Sequence, residues 1–265
     1  MSNLEIFSLK GKTILLTGAT GYLGSAISWA LARAGANVLI NSRNQKRVQD
    51  LVMAINADGL LAESAVFDIT DEVTVSEFFK KRAGLPLHCL INNAYAGSGG
   101  TIETASDEDY HRSFEIAVVC SSRVLRHALS GLRLAVRACK DASIINIASM
   151  YGSVSPDLRL YSSIEDSNPP FYGAAKASLI QWSKYAACQF GPEGIRVNTI
   201  SPGPFPSKEV QEFNPEFVAK LANKVPMRRV GQANELQGVT VFLASSASSF
   251  VNGINLHVDG GWTSW

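Results

Sequence analysis

Thr13-Ile-Leu-Leu-Thr17-Gly18-Ala19-Thr20-Gly21-Tyr22-Leu23-Gly24 decides how this chain folds. Thr13 to Thr17 is a short apolar run flanked by threonines and reads as a buried strand. Tyr22 to Arg33 follows, Ala-rich and with apolar residues at helical spacing. Between them, glycines let the backbone turn tightly and let a ligand approach the main chain. The helix then opens with free N–H groups and the positive end of its dipole. Strand, glycine turn and helix in that order suit a pyrophosphate, and no Gly-Lys-Ser/Thr follows, so the turn is not a Walker-type loop.

Outward from this turn, β-rich runs alternate with helical ones. Strands are expected at Asn37 to Asn41, Leu61 to Phe67, His88 to Asn92, Ser143 to Ala148, Ile195 to Ile200 and Ile254 to Val258. Helices are expected at Gln45 to Asn56, Thr70 to Lys81, Ser106 to Ala128, Phe171 to Phe190 and Asn234 to Ala244. Strands lacking strict alternation are buried on both faces, as a parallel sheet requires. The alternation implies an α/β fold: one doubly wound Rossmann-type domain over residues 1–265, its mainly parallel seven-stranded sheet covered by helices on both faces. Two polar, Pro-containing stretches break the pattern after strand ends. They read as an active-site insertion near 153–170 and a substrate lid near 204–225.

The chain has 265 residues, within reach of one α/β domain, and 46% apolar residues supply its core. A net charge of +1 argues against a nucleic-acid footprint or a polybasic membrane patch. No apolar run is long enough for a membrane span, and the N-terminus has no signal-peptide pattern, so a cytoplasmic protein is expected. Cys89, Cys120, Cys139 and Cys188 are scattered, as are His88, His111, His127 and His257, so no disulfide framework or metal site is expected.

Further motifs sit where a dinucleotide enzyme would need them: Asp68 after the third strand, Asn92-Asn93-Ala94 after the fourth, Ser149 after the fifth, then Tyr172-Gly-Ala-Ala-Lys176, Pro202-Gly203 and Val258-Asp259-Gly260-Gly261. With the glycine turn, this set resembles the short-chain dehydrogenase/reductase superfamily from about Lys10 to the C-terminus. The glycine spacing resembles the extended, sugar-nucleotide branch, while the C-terminal Val-Asp-Gly-Gly and the length resemble the compact branch. Tyr95 stands where Asn-Asn-Ala is usually followed by Gly, and Ala117 where the compact branch has a catalytic Asn. Asn-Asn-Ala-Tyr and the loop from Ser149 to Tyr172 look most like dehydrogenases of flagellin-glycan and nonulosonic-acid pathways.

The resemblance implies an NAD(P) cofactor held by Gly18, Gly21, Tyr22, Leu23 and Gly24 at the pyrophosphate. It implies Asp68 and Ile69 at the adenine, Asn93 and Ala94 along the adenosine ribose, and Pro202, Gly203 and Ser207 over the nicotinamide, with Tyr172 and Lys176 also touching the cofactor. Nucleotide preference is decided past the second strand, where Asn41-Ser42-Arg43 offers no carboxylate to repel a 2′-phosphate. Arg43 is a fork-shaped donor suited to that phosphate, with Ser42 beside it, so NADP(H) is favoured and NAD(H) is the alternative. Lys46 and Arg47 read equally well as a solvated helix start.

Tyr172 and Lys176 share one helix face. Unperturbed tyrosine, with a pKa near ~10, is a poor base at neutral pH. An ammonium about 4 Å away at an effective dielectric of ~20 contributes roughly 4 kcal/mol, enough to bring a phenol near working pH. Tyr172 is therefore the expected acid/base, Lys176 its electrostatic partner, and Ser149 the group that orients the substrate oxygen. In the family the Asn holds a relay water; here Ser113 and Ser121, one turn to either side of Ala117, are candidates to hold it, the alternatives being a relay through another group or slow turnover.

The insertion carries Asp157, Arg159, Tyr161, Ser162, Ser163, Glu165, Asp166 and Asn168, which suits a sugar or sugar phosphate, although loops are polar by default. Tyr95 is read as a hydroxyl-bearing wall of the same pocket, and Arg159 as a group for a substrate phosphate. The leading expectation is hydride transfer between nicotinamide and a carbonyl or secondary alcohol. The alternatives are a sugar epimerase or dehydratase that retains its cofactor, motivated by the glycine spacing and the long Ser149–Tyr172 separation, and a non-catalytic dinucleotide sensor, motivated by Ala117. The resemblance also implies a homodimer or homotetramer.

Overall fold

A computed structural model describes residues 5–97 and 99–265; the signal-peptide reading of the first residues lies partly outside them. Seven strands form one sheet: β1 (Thr13–Leu16), β2 (Asn37–Ser42), β3 (Leu61–Val66), β4 (Cys89–Asn92), β5 (Ala142–Ile147), β6 (Ile195–Pro202) and β7 (Asn255–Val258). Their spatial order is β3-β2-β1-β4-β5-β6-β7 and every pairing is parallel, so the expected mainly parallel sheet is wholly parallel among the described residues.

Side chains of neighbouring positions on each strand point to opposite faces. Ile14 and Leu16 therefore pack with Ile27 and Leu31 of α1 (Tyr22–Arg33), Val48 and Ile55 of α2 (Gln45–Ala57) and Leu243 of α9 (Gln237–Ala244). Leu15 and Leu90 pack on the other face with Val75 of α3 (Glu72–Lys81), Leu132 of α5 (Cys120–Cys139) and Phe190 of α6 (Pro170–Phe190). The chain winds from β1 towards β3 and then restarts at β4 on the opposite side of β1. The carboxyl ends of β1 and β4 therefore flank the switch point, where open α/β sheets bind ligands.

Parts of the sequence reading change. The helix expected over Ser106 to Ala128 is α4 (Asp107–Phe114), a π-helical turn (Glu115–Val119) and α5, which runs on to Cys139. Gly131 lies within that continuation. It has no Cβ because the helix passes close to Leu87, where a Cβ would lie 3.1 Å from the Leu87 Cβ. The stretch near 204–225 is not simply irregular: it contains α7 (Lys208–Phe213) and α8 (Pro215–Lys224), short helices capped by Ser207 and Asn214. At the edge of the sheet, β3 exposes most of its residues instead of burying both faces.

Candidate active site

The glycine turn closes against the end of β4. Thr17 donates its N–H to the Ile91 carbonyl at 3.0 Å. Its Oγ1 accepts from the N–H groups of Asn93 at 3.0 Å and Ala94 at 3.2 Å. The Asn93 amide donates to the carbonyls of Thr17 and Gly18, both at 3.1 Å. Gly18 has φ +62°, and a Cβ there would lie 2.8 Å from the Ala94 Cα. Only glycine permits this approach. A Cβ on Gly24 would collide with the Gly18 carbonyl, so α1 starts directly on the turn. Gly21 caps α1 without a side chain, which leaves the first-turn N–H groups free for an anion.

The turn floors a cleft of about 400 Å³. Gly18, Gly21, Tyr22, Leu23, Gly24, Ser42, Arg43, Asp68, Ile69, Asn93 and Ala94 all line it. Arg47 and Tyr95 line it as well, Arg47 from the helix start that the sequence read equally well as solvated. A glycine cradle, a free helix start and two guanidinium-bearing residues at the far end fit an extended dinucleotide with an added phosphate. Asp68 accepts from the Thr70 N–H at 2.9 Å and its hydroxyl at 2.7 Å. Burial raises the Asp68 carboxyl, but these bonds and nearby Arg43 hold it below the usual range.

Pro202 ends β6 and Gly203 follows it, and neither lines this cleft. A Cβ on Gly203 would lie 2.6 Å from the Asp259 Cα, so the Pro-Gly turn must pass tightly under the C-terminal loop. Asp259 shapes that loop by accepting from the N–H groups of Gly261 and Thr263, both at 2.9 Å. The Ser207 hydroxyl accepts from the Val210 N–H at 3.3 Å, so its observed partner is the start of α7. From α7, Gln211 reaches the Tyr22 hydroxyl at 3.4 Å and brings this segment to the glycine turn.

Beyond Tyr95, which lines this cleft and meets the Tyr172 ring edge-on, stand Ser149, Tyr172 and Lys176. Pro170 begins α6 in the first-turn position that a fixed φ favours, which places Tyr172 early in the helix and Lys176 one turn later. Two glycines that sequence reading did not single out set the spacing. A Cβ on Gly173 would lie 2.8 Å from the Tyr151 carbonyl, and one on Gly152 would lie 2.9 Å from the Lys176 carbonyl carbon. The turn carrying Ser149 thus sits directly on α6. The Ser149 hydroxyl accepts from the Tyr151 N–H at 3.1 Å and stands beside the Tyr172 phenol.

Electrostatics at this end differ from the sequence expectation. Burial raises the Tyr172 pKa; the Ser149 hydroxyl opposes the rise and Tyr95 adds to it. Lys176 is buried and donates to the Ile147 carbonyl at 2.8 Å. Burial pushes its amine down to about 7. Its nitrogen lies 5.7 Å from the Tyr172 ring centre. Desolvation disfavours charge on both groups, and that cost was invisible in a pairwise Coulomb argument.

The expected serine relay also changes. Ser121 donates to the Ala117 carbonyl at 2.8 Å, and Ser113 donates to the Phe171 carbonyl at 3.1 Å. The Tyr95 hydroxyl lies 2.8 Å from the Ser113 oxygen and, with that serine's proton already committed, donates to it. The Tyr95 hydroxyl is thus committed to buried Ser113, while Tyr95 still lines the cleft. Arg159 pairs with Asp157 at 2.8 Å, and Lys224 of α8 reaches the same carboxylate at 2.6 Å. Met150, next to Ser149, packs with Leu221, Val225 and Trp262, while Tyr161 stacks obliquely on Phe217. The 153–170 segment and α8 thus form one wall beside Ser149.

Among the described residues, no group of His, Cys, Asp and Glu side chains could hold a metal ion, and no helix is long and apolar enough to cross a membrane. The profile of the family described as Enoyl-(Acyl carrier protein) reductase matches residues 18–263. Gluconate 5-dehydrogenase of Gluconobacter oxydans is 33% identical, with 99% of each chain covered. The 5-keto-D-gluconate 5-reductase of Escherichia coli is 29% identical over 97% of each chain. The solved gluconate 5-dehydrogenase of Burkholderia cenocepacia, in complex with NADP and tartrate, superposes with a TM-score of 0.86 at 28% identity, covering 99% of both chains.

Proposed function

Because the chain belongs to the short-chain dehydrogenase/reductase superfamily, we propose that it interconverts a ketone and a secondary alcohol on a sugar acid of the gluconate class, with Tyr172 as the acid/base. It is an NAD(P)-dependent oxidoreductase acting on a sugar-like substrate, and its cofactor is NADP(H). The observation that carries the residue assignment is the Ser149 hydroxyl bonded to the Tyr172 phenol, with the Lys176 amine 5.7 Å from that ring's centre and Tyr95 joining the pair to the glycine-floored cleft.

When bound, NADPH supplies the hydride for the carbonyl carbon. Ser149 orients the carbonyl oxygen by hydrogen bonding. Tyr172, which burial keeps protonated at neutral pH, gives its proton to that oxygen as negative charge develops there. Lys176 then stabilises the phenolate left behind. In the oxidative direction the same phenol must first lose its proton, so alcohol oxidation gains from alkaline pH while ketone reduction works at neutral pH.

In this reading Gly18, Gly21, Tyr22, Leu23 and Gly24 take the pyrophosphate and Ser42 and Arg43 the 2′-phosphate. Asp68, Ile69, Asn93 and Ala94 hold the adenosine, and Pro202, Gly203 and Ser207 close over the nicotinamide. The 153–170 insertion and the 204–225 lid frame the sugar acid, and the chain assembles as a homodimer or homotetramer. The printed activities of the Gluconobacter and Escherichia relatives favour a gluconate-type substrate. A second substrate reading, a sugar of flagellin-glycan or nonulosonic-acid synthesis, rests on Asn-Asn-Ala-Tyr95 and the loop from Ser149 to Tyr172.

The test is a cofactor-linked screen of keto-sugar acids, sugar phosphates and keto-sugars with NADPH and NADH. Turnover of 5-ketogluconate with NADPH, lowered ~100-fold or more by Tyr172→Phe, is the expected result. Turnover that survives Tyr172→Phe would remove the tyrosine from its role. Preference for an amino-sugar precursor over every sugar acid would transfer the substrate assignment to the second reading.

A further inference from the structure

Tyr95 occupies the boundary between the dinucleotide cleft and the Tyr172 end of the crevice. Its ring meets the Tyr172 ring edge-on, with centroids 4.9 Å apart and planes at 74°. The Lys176 nitrogen lies over the Tyr95 ring at 4.9 Å from its centre, nearer than the 5.7 Å to the Tyr172 ring. Both distances fall within the roughly 6 Å over which an aromatic face attracts a cation.

The seat of this ring is built from several sides. The Tyr95 hydroxyl donates to Ser113, whose own hydroxyl donates to the Phe171 carbonyl in the first turn of α6. A Cβ on Gly97 would lie 2.9 Å from both the Tyr95 hydroxyl oxygen and its ring edge, so the loop makes room for the ring. The ring is therefore anchored to the same helix that carries Tyr172 and Lys176.

Among the described residues, the groups facing the Lys176 amine are the Ile147 carbonyl, which accepts its hydrogen bond, and the faces of Tyr95 and Tyr172. Burial alone drives its titration down; no carboxylate contributes. Further out, Tyr151 is close enough to Tyr172 to feel its charge, with Tyr161 and Asp157 acting on Tyr151 in turn. Arg112 of α4 acts on Tyr95. A buried ammonium with no carboxylate needs another source of negative potential, and an aromatic face supplies one without taking the proton.

We propose that Tyr95 is a positioning residue whose ring face holds the Lys176 side chain in its charged form and in place beside Tyr172. This rests on the catalytic reading of Tyr172 and Lys176 for its consequence in turnover, but not for its physical content. The ring does the holding, and its hydroxyl serves only to fix the ring through Ser113.

The experiment follows the Lys176 side-chain carbon by NMR in protein labelled with 13C at lysine Cε, its resonance identified by its loss in Lys176→Arg. The titration midpoint should move down by about one pH unit in Tyr95→Leu and stay in place in Tyr95→Phe. An unmoved midpoint in Tyr95→Leu, or an equal shift in Tyr95→Phe, overturns the proposal. Should Tyr95→Leu fail to fold, trifluorophenylalanine placed at position 95 has nearly the shape of phenylalanine but a weakened ring field. Its midpoint must then fall below that of Tyr95→Phe, and coincidence of the two overturns the proposal. Turnover of Tyr172→Phe is measured in parallel. Activity surviving there removes the catalytic reading and leaves the Lys176 titration to judge Tyr95 separately.

Discussion

The side-chain nitrogen of Lys176 lies 2.8 Å from the backbone oxygen of Ile147, so α6 is tied to the end of β5 just before Ser149. That bond satisfies one amine proton inside a site where burial otherwise favours the neutral amine. The folded-state pKa of about 7 stands below the ~10.4 of an unfolded lysine. Below about pH 7 both states bind the proton and folding carries the full cost of burying charge. Between pH 7 and ~10 the unfolded chain binds more protons than the folded one, so this group's contribution improves as pH rises.

The corresponding measurement is denaturant unfolding of the protein and of Lys176→Met across pH 6 to about 9.5. The stability of the parent relative to the variant should rise with pH over that window, by at most about 4 kcal/mol. A difference that is flat or falls with pH would show that the amine is not charged at the cost inferred here.

Gly152 and Gly173 set how closely the Ser149 turn sits on α6. Gly173→Ala or Gly152→Ala places a methyl group within 3 Å of backbone on the facing element. The turn and helix must then separate, and a displacement of ~1 Å at a reacting centre costs on the order of 100-fold in kcat/KM. Gly238→Ala, on an exposed face of α9 with open space around it, is the control. It should keep full activity and gain up to ~1 kcal/mol in stability. Equal activity in all three variants would mean that the Ser149–Tyr172 spacing does not matter.

Arg43 stands 4.0 Å from Asp68 with most of its side chain in solvent, a pair that contributes little and is easily exchanged for a phosphate. Arg43→Ala should weaken NADPH binding by roughly 10- to 100-fold and leave NADH binding nearly unchanged. Isothermal titration with both cofactors checks this. A parallel loss for both would place Arg43 outside the 2′-phosphate site, and no loss for either would leave Arg47 as its ligand.

Lys224 and Asp157 join the insertion to α8, and Arg159 binds the same carboxylate from its exposed side. Bonds from Arg159 and Lys224 hold the Asp157 carboxyl well below the usual range, so the link is complete at neutral pH and lost only in strong acid. Lys224→Met should raise hydrogen exchange across 208–224 and raise KM for substrate more than it lowers kcat. Unchanged exchange in that segment would show that apolar packing around Trp262 closes the wall without the ion pair.

Much of this arrangement was readable along the chain because it is local. The strand, glycine turn and helix from Thr13 to Arg33 differ in hydrophobic period and in backbone demand, and both are written in consecutive residues. The same holds for the Tyr172–Lys176 spacing, since two residues one turn apart on a helix share a face wherever that helix is placed. Boundaries were lost where a distant neighbour overrides local preference. The helix expected to end at Ala128 runs on to Cys139, and its Gly131 fits closely against Leu87, a contact between residues far apart in the chain.

By its residues alone the chain specified an α/β order, a glycine-floored cleft and a phenol–amine pair on one helix. The packing of remote segments decided the charge on that pair, because burial and not the pair's own attraction dominates both groups. Packing also decided that Tyr95 turns its face to Lys176 and its hydroxyl to Ser113, and that Arg159 is occupied by Asp157. Contacts between residues far apart in the chain depend on how whole layers stack, and a period of two or 3.6 carries no record of that.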